Sequence, residues 1–536
     1  MKPTLLKSIV LVCLLAAQAF AIVSAAESLK GTLRYGEYGR PATLDPITSS
    51  DGVSLRAVEL MFDGLVSIAE HQEIIPALAE RWTVSNDGAV YTFQLRKDVT
   101  WHASAGETLK RFSADDVVFT YRLMANPKTQ GSLKARVALI KEVKKIDDAT
   151  VQFTLSQPSS NALALFSLKI VPKHKIARDF LTRDDSFVQH PIGTGPFMLA
   201  GSPADREIVF VANPHYFRGA PKLARVILKP FSDQNILQQA FKFNSIDMIA
   251  SVAPRDLQEL QANPRIHLAP YNTLSYSFLG FNLRNPILAD KNVRRALSLA
   301  VNRPEILRSF FNNQGLLISG PFPPGSWAYN LDVQPLTFAP DEAAGLLKKA
   351  GFSAGSDGIL ARAGQRLHLR LRAPIAKENE STKRVVLAYQ NYLKKIGVEI
   401  KIDFLELQAW NDAVFNRNNF DIMFGSWSFD DAADISTLFH SADIGPWKNN
   451  FGAYRNEKVD KLINEAKAAI DLNLRRAINQ QLHQLLAEDA PYTFLWTLTD
   501  YAAYTDRIHD VKIHPFRFFA DVHTWDAIEK NDANKP

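Results

Sequence analysis

The sequence predicts an α/β or α+β protein of two or three domains, and three observations predict it. Strand-like and helix-like stretches alternate along the whole chain, without low complexity or a fixed repeat of roughly 20 to 50 residues. The 536 residues are 46% hydrophobic and 22% charged, which is enough apolar material for several cores. One stretch, residues 367–402, reads as strand, helix, strand, the building block of a parallel sheet.

Taken in order, the N-terminus carries Lys2 and Lys7, an apolar run over residues 9–17, and small residues at Ser24, Ala25 and Ala26. That pattern predicts a secretory signal peptide over residues 1–26, cleaved after Ala26, with a second site after Ala21 as the alternative. An uncleaved anchor does not fit, because the run is short of the roughly 20 apolar residues that span a bilayer. The one cysteine, Cys13, lies inside the leader and follows Val12 rather than a small residue, so no lipoprotein site is expected. The mature chain then has no thiol for a disulfide or a thiolate metal site. Removing Lys2 and Lys7 lowers the formal charge from +6 to +4, too weak a balance to argue for nucleic acid.

Residues 78–121 are the most informative stretch. Asp87-Gly88 makes a turn, and from Val90 the side chains of Tyr91, Phe93 and Leu95 alternate with Thr92, Gln94 and Arg96, which predicts a half-buried strand. Ser113, three residues before Asp116, predicts an N-cap for a helix whose apolar positions are Val117, Tyr121 and Met124, ending near Asn126-Pro127. Further on, Val293, Ala296, Leu297 and Ala300 mark a helical stripe, and Val459, Leu462, Ile463 and Ala466 mark another. In residues 367–402, Leu367, Leu369 and Leu371 alternate with polar residues, a helix carries Val385, Val386, Tyr389 and Leu393, and Val398-Glu-Ile-Lys-Ile is the second strand.

These residues carry a resemblance. The chain is similar to the dipeptide- and oligopeptide-binding class of extracytoplasmic solute-binding proteins, family 5, the receptors of ATP-driven (ABC) importers. The signature region matches Leu78-Ala-Glu-Arg-Trp, Ser85-Asn-Asp-Gly, Tyr91-Thr-Phe-Gln-Leu-Arg, Val99-Thr-Trp-His and Phe112-Ser-Ala-Asp-Asp-Val-Val-Phe. Thr43-Leu-Asp-Pro, Gly193-Thr-Gly-Pro-Phe, Asn213-Pro-His-Tyr-Phe, Gly280-Phe-Asn, Val293-Arg-Arg-Ala-Leu, Ala350-Gly-Phe and Ala487-Glu-Asp-Ala-Pro match in family order. No single motif is specific; their number and order are. One departure, a longer Ala103-Ser-Ala-Gly-Glu stretch before Phe112, is expected to alter a loop and not the fold.

The resemblance implies two α/β lobes joined by a hinge, with an extra subdomain inserted in the first lobe. The first lobe would use residues 27–65, 189–278 and 507–536, the subdomain 66–188 and the second lobe 279–506. It also implies a periplasmic, non-enzymatic, monomeric receptor without cofactor or resident metal, which hands a short peptide to permease subunits in the inner membrane.

The best site candidate is Gly425-Ser-Trp-Ser-Phe-Asp430-Asp431-Ala-Ala-Asp434, because a carboxylate beside an aromatic ring suits a cationic ligand group. Oligopeptide receptors place Trp, two residues, then Asp at this point, and Trp427 and Asp430 match that spacing. By resemblance Asp430 would hold a peptide's α-ammonium, with Asp431 beside it. For Asp434 a helix-capping role is expected instead. The loop Ser49-Ser50-Asp51-Gly52 is the counterpart of one that pairs backbone to backbone with a ligand, though the same residues also read as a surface turn. Tyr276 and Asn282 flank Phe278-Leu-Gly-Phe at the lobe crossover, with core packing as the alternative. Some oligopeptide receptors carry an Arg three residues before the Trp; here that residue is Phe424, and Arg417 is off the position.

Other patterns carry less. Asp430-Asp-Ala-Ala-Asp also matches a magnesium motif of prenyl-transfer enzymes, which requires an all-helical bundle. Gly351-Phe-Ser-Ala-Gly matches a hydrolase elbow, but a helix opened by Pro340 precedes it, so Ser353 is expected in a loop. The twelve histidines show no metal-ligand spacing. Gly193-Thr-Gly-Pro-Phe lacks the third glycine of a dinucleotide fingerprint and reads as a turn entering a strand. Three rival readings accompany the peptide receptor: the same receptor with an opine, oligosaccharide, metal chelate or other amine as cargo, a secreted hydrolase using Ser353, and a chaperone for unfolded chains.

Overall fold

The computed structural model describes residues 31–69, 73–103, 106–131, 133–159, 161–201, 206–375, 380–429, 433–514 and 517–527. The expected leader, residues 1–26, lies outside them. The first lobe begins with β1 (Thr32–Tyr38) and α1 (Gly52–Met61). The inserted subdomain follows as its own antiparallel sheet of β2 (Ala79–Val84), β3 (Val90–Leu95), α2 (Ala114–Ala125), β4 (Ile140–Asp147) and β5 (Thr150–Leu155), in the strand order β2-β3-β5-β4.

This sheet forms where the sequence pattern places it. Gly88 adopts φ 69° in the turn before β3, a conformation that costs a residue without a side chain little. Tyr91, Phe93 and Leu95 are buried, and Phe93 meets Phe153 edge to face at 5.8 Å. At the start of α2, the Asp116 carboxylate accepts the Ser113 N–H at 3.0 Å, half of a capping box, and the helix stops at Ala125.

Beside three small sheets of two or three strands, the other described strands build one twelve-stranded sheet that runs through both lobes. Its further strands are β6 (Phe197–Leu199), β7 (Ile208–Ala212), β8 (Arg225–Phe231), β9 (Met248–Ile249), β10 (Ile266–Asn272), β11 (Ser275–Phe281), β12 (Gly315–Leu317), β13 (His368–Ile375), β14 (Glu399–Glu406), β15 (Ile422–Ser428) and β16 (Tyr492–Thr505). The order is β14-β13-β15-β11-β16-β9-β1-β8-β7-β6, with β10 and β12 also pairing with β16. β13 and β14 are parallel and joined by the helix Glu380–Lys395, as the strand, helix, strand pattern predicts.

β16 belongs to both lobes. Its first residues pair with β11 and β12, while residues 499–505 pair with β10 and 503–504 with β9. Together with the β10–β11 connection, it forms the hinge. A single core runs from the first lobe (Tyr35, Phe62) into the subdomain (Phe93, Phe153, Phe166). The second lobe has two cores, one on each face of β11 and β15: Leu279 and Phe424 on one, Tyr276 and Phe278 on the other. Among the described residues no helix is long and apolar enough to cross a membrane.

Glycines 193 and 195 show why the Gly-Thr-Gly-Pro-Phe turn has its composition. A β-carbon on either would collide with the backbone of Met61 at the end of α1, and the Gly195 N–H donates to Met61 C=O at 2.8 Å. Gly351 adopts φ 85° just past the helix Pro340–Lys349, as expected of a helix C-terminus. Ser353 differs slightly from expectation: it starts an exposed two-residue strand rather than lying in a loop. No strand precedes it and no helix follows it directly, so the geometry of a nucleophile elbow is not formed.

Candidate functional site

The site is built around β15, because among the described residues this strand is paired along its whole length on one side only. β11 runs antiparallel to it from Ser275↔Ser428 to Phe281↔Ile422, whereas β13 meets it only at Ile422 and Met423 before diverging. Phe429 N–H donates to Leu274 C=O at 2.7 Å and Asn282 N–H to Asp421 C=O at 2.9 Å, which sets the odd-numbered residues toward β11. By the alternation of an antiparallel ladder, the backbone groups of Ser426 and Ser428, beyond the short β13 pairing, point to the other side, where no described strand meets them. Such an edge is a template for an added strand.

Trp427 and Tyr276 are register partners across β15 and β11, on the face opposite the Ser426 side chain. Trp427 is half-buried and stacks on Phe278 at 5.8 Å, with interplanar angle 14°, and on Phe451 at 6.3 Å. Tyr276 is buried and stacks on Phe429 at 5.5 Å; its hydroxyl has no partner among the described residues, and burial pushes its pKa well up. Both rings therefore pack into the second lobe's core.

Asn282 lies at the far end of the same strand. Its amide donates to the carbonyls of Asn418 and Phe420 at 3.2 and 2.9 Å, and its oxygen accepts from the Arg284 guanidinium at 3.2 Å, so it ties the start of β15 to the end of β11. Asp430 and Asp431 lie outside the described residues. Asp434 accepts the Ser436 N–H at 2.8 Å, the first of the short helix Ser436–Phe439, from one position before the N-cap residue Ile435. Phe424 is buried in the core cluster with Leu279, and Arg417 is exposed and paired with Asp412 at 2.6 Å.

In the first lobe, Asp51 is the N-cap of α1: its carboxylate accepts the Ser54 N–H at 2.8 Å and the Ser54 hydroxyl at 2.6 Å. Partial burial works against the charge, but the Ser54 bonds outweigh it and hold the pKa below the usual carboxylate value. Gly52 opens the helix and Ser50 is exposed just before it. A β-carbon at Gly52 would lie 3.7 Å from the Arg56 guanidinium, which bonds Glu37 at 2.7 and 2.8 Å. The Arg56 charge is felt in turn by Tyr271 and Asp500 at the hinge, so this corner of the first lobe adjoins the crossing strands.

A cavity of about 340 Å³ lies there. Ser251 and Pro254 come to it from the first lobe, Gln314 and Ser426 from the second, and Ser277 and Asp500 from the crossing strands. The sequence reading missed Gln314 and Asp500. The one available signal was a carboxylate interrupting the otherwise uncharged run of β16. Among the described residues no three His, Cys, Asp or Glu side chains group as metal ligands.

Comparison with known proteins places this geometry. The sequence profile of the bacterial extracellular solute-binding proteins, family 5, matches residues 73–449. The oligopeptide-binding protein AppA of Bacillus subtilis is 29% identical, over 92% of this chain and 91% of its own. The heme-binding protein A of Haemophilus influenzae is 26% identical over 93% of both. Among solved structures, AppA from Bacillus subtilis with a nonapeptide superposes with TM-score 0.68 at 28% identity, covering 93% of this chain and 99% of that one. NikZ from Campylobacter jejuni with Ni(L-His) gives 0.71 at 27%, with the same coverage.

Proposed function

The chain belongs to family 5 of the bacterial extracellular solute-binding proteins, non-enzymatic receptors of ABC importers, and on that premise we propose that it carries short peptides. The peptide is enclosed between the lobes, in the periplasm after removal of residues 1–26, and a monomeric receptor delivers it to the permease. The observation that carries this reading is the open edge of β15. Its N–H and C=O groups at Ser426 and Ser428, unpaired by any described strand, match an extended backbone and ignore side-chain identity, which is the chemistry a receptor for varied peptides needs.

In this reading Asp430, beside Asp431 and just beyond β15, takes the peptide's α-ammonium, while Trp427 shields it. Ser50, Asp51 and Gly52 approach the ligand from the other lobe. Tyr276 and Asn282 hold the strand that presents the edge. The lobes divide near 27–65, 189–278 and 507–536 against 279–506, with 66–188 inserted; β11 packs with the second lobe from its start, β16 is shared, and closure about these crossing strands signals loading.

Asp430→Ala is the direct test. Calorimetry with a di- to pentapeptide pool should show binding at least roughly tenfold weaker, because a desolvated ammonium loses its partner. Unchanged affinity removes Asp430 from the site. A second reading, the same receptor with a non-peptide cargo, is favoured by the heme- and nickel-binding relatives at similar identity. Native mass spectrometry of the purified protein separates the two: a spread of peptide masses supports the first, and one discrete non-peptide mass with no uptake from the pool supports the second.

A further inference from the structure

The hinge cavity has a chemistry of its own. Its one charged lining residue among those described is Asp500, and no lysine, arginine or histidine accompanies it there. The Asp500 carboxylate accepts from the Ser251 hydroxyl at 2.8 Å and the Tyr501 N–H at 2.9 Å, and the Tyr271 hydroxyl lies 3.2 Å away, its one proton shared with Ala250 C=O at 2.9 Å; all are neutral donors. Arg56, whose charge reaches it, is committed to Glu37. A carboxylate drawn into a partly enclosed site without a bonded cation is costly unless something else supplies the charge.

Two further features point to a ligand group. Gln314 lines the cavity and is 8% exposed, and its Nε2, itself turned away from open space, has no hydrogen-bond partner among the described residues. A half-turn of the amide presents Oε1 instead, so the residue can donate or accept. Phe311, half-buried and 5.5 Å from the buried Trp496, brings aromatic surface to the cavity wall. Aromatic faces attract cations. At about 340 Å³ the space holds a long side chain with water around it.

The cavity is also in line with the open edge. The Ser426 side chain projects into it and lies 3.2 Å from the Ser277 hydroxyl, while the Ser426 backbone faces the free side of β15. In a strand laid along that edge, the residue opposite Ser426 turns its side chain to the same face. We infer that the hinge cavity is a specificity pocket for a cationic side chain of the ligand, a lysine or arginine, with Asp500 as its counter-ion and Gln314 as a second contact. This inference rests on the peptide reading above and adds a preference that backbone pairing alone does not provide.

The test uses protein freed of co-purified ligand by unfolding and refolding. Calorimetry compares trialanine with tripeptides carrying lysine, norleucine or glutamate at each position in turn. Lysine at one position is expected to bind at least tenfold tighter than norleucine there, with glutamate weakest. Asp500→Asn should level lysine and norleucine. Because that variant also touches the Ser251 and Tyr271 bonds, Gln314→Glu serves as the second: it adds a carboxylate outside those bonds and should widen the gap. Trialanine binding with no lysine preference at any position overturns the pocket and leaves the peptide reading standing, as does a preference that survives Asp500→Asn and is unmoved by Gln314→Glu. Failure of every peptide to bind overturns both.

Discussion

Arg34 and Asp247 clasp each other across two parallel strands of the first lobe: the guanidinium donates to the carboxylate at 2.9 and 2.6 Å, and each backbone N–H reaches the other residue. Arg507, just past β16, reaches the same carboxylate at 2.6 Å, so Asp247 ties β1 to the end of the strand shared by both lobes. Asp247 is fully buried. Removing it leaves two guanidinium groups without their shared carboxylate. Asp247→Ala should therefore cost about 3–5 kcal/mol, read from urea unfolding. A loss below about 1 kcal/mol would show that the clasp is replaced by water.

Two buried histidines predict how stability depends on pH. His102 accepts the Gly193 N–H on Nδ1 and donates from Nε2 to Gly195 C=O, and burial pushes its pKa down to about 4. His483 accepts the Asn330 N–H on Nδ1, bonds Ser319 through Nε2, and is likewise pushed by burial to about 4. Their folded values lie below the unfolded value of roughly 6.5, so the stability they contribute is complete above that pH. As pH falls, the unfolded chain takes up protons that the fold refuses, and each histidine removes roughly 1.4 kcal/mol per pH unit until about pH 4. Below that, Asp247 continues the loss: burial alone would raise its pKa, but Arg34 and Arg507 hold it under the usual carboxylate value. Unfolding midpoints at pH 7.5, 6 and 5 should decline stepwise, and His102→Gln should flatten part of the slope.

The open edge of β15 makes a prediction about proline. Ser426→Pro removes an N–H that faces away from β11 and fills the edge with a ring, so ladder bonding within the protein is kept. Peptide affinity should fall at least roughly tenfold, while the thermal midpoint stays within about 3 °C of the parent. Full affinity in the proline variant would mean that no ligand backbone pairs there.

Phe424 stands where some oligopeptide receptors have an arginine, and its ring is packed against Leu279 in the second lobe's core. Restoring the arginine would bury a guanidinium among apolar side chains. Phe424→Arg should cost about 3–5 kcal/mol of stability with no gain in affinity for a peptide's free carboxylate. A stable variant with improved affinity would show that the position opens to the ligand.

Much of the fold was legible in the residues themselves. The alternation of Tyr91, Phe93 and Leu95, the Ser113–Asp116 cap, the strand, helix, strand unit and the glycine after Lys349 are all found where neighbouring residues placed them. Asp434 was readable as serving the helix start, and it does so from one residue before the N-cap position, Ile435. The site was legible only in part. Trp427 was readable as a candidate from its spacing, but its stacking on Phe278 and Phe451 was not, and Asp51 turned out to cap α1 with its carboxylate.

What the sequence by itself determined is therefore the family, the α/β class and the local elements, because periodicity, capping and turn chemistry depend on residues a few positions apart. Only the tertiary structure decided which edge of β15 stays open, since that depends on where β13 diverges from it. It also decided that Gln314, Ser426 and Asp500 face one cavity. Those positions are distant in the chain and meet because β16 crosses from one lobe to the other, a long-range pairing that no local pattern encodes.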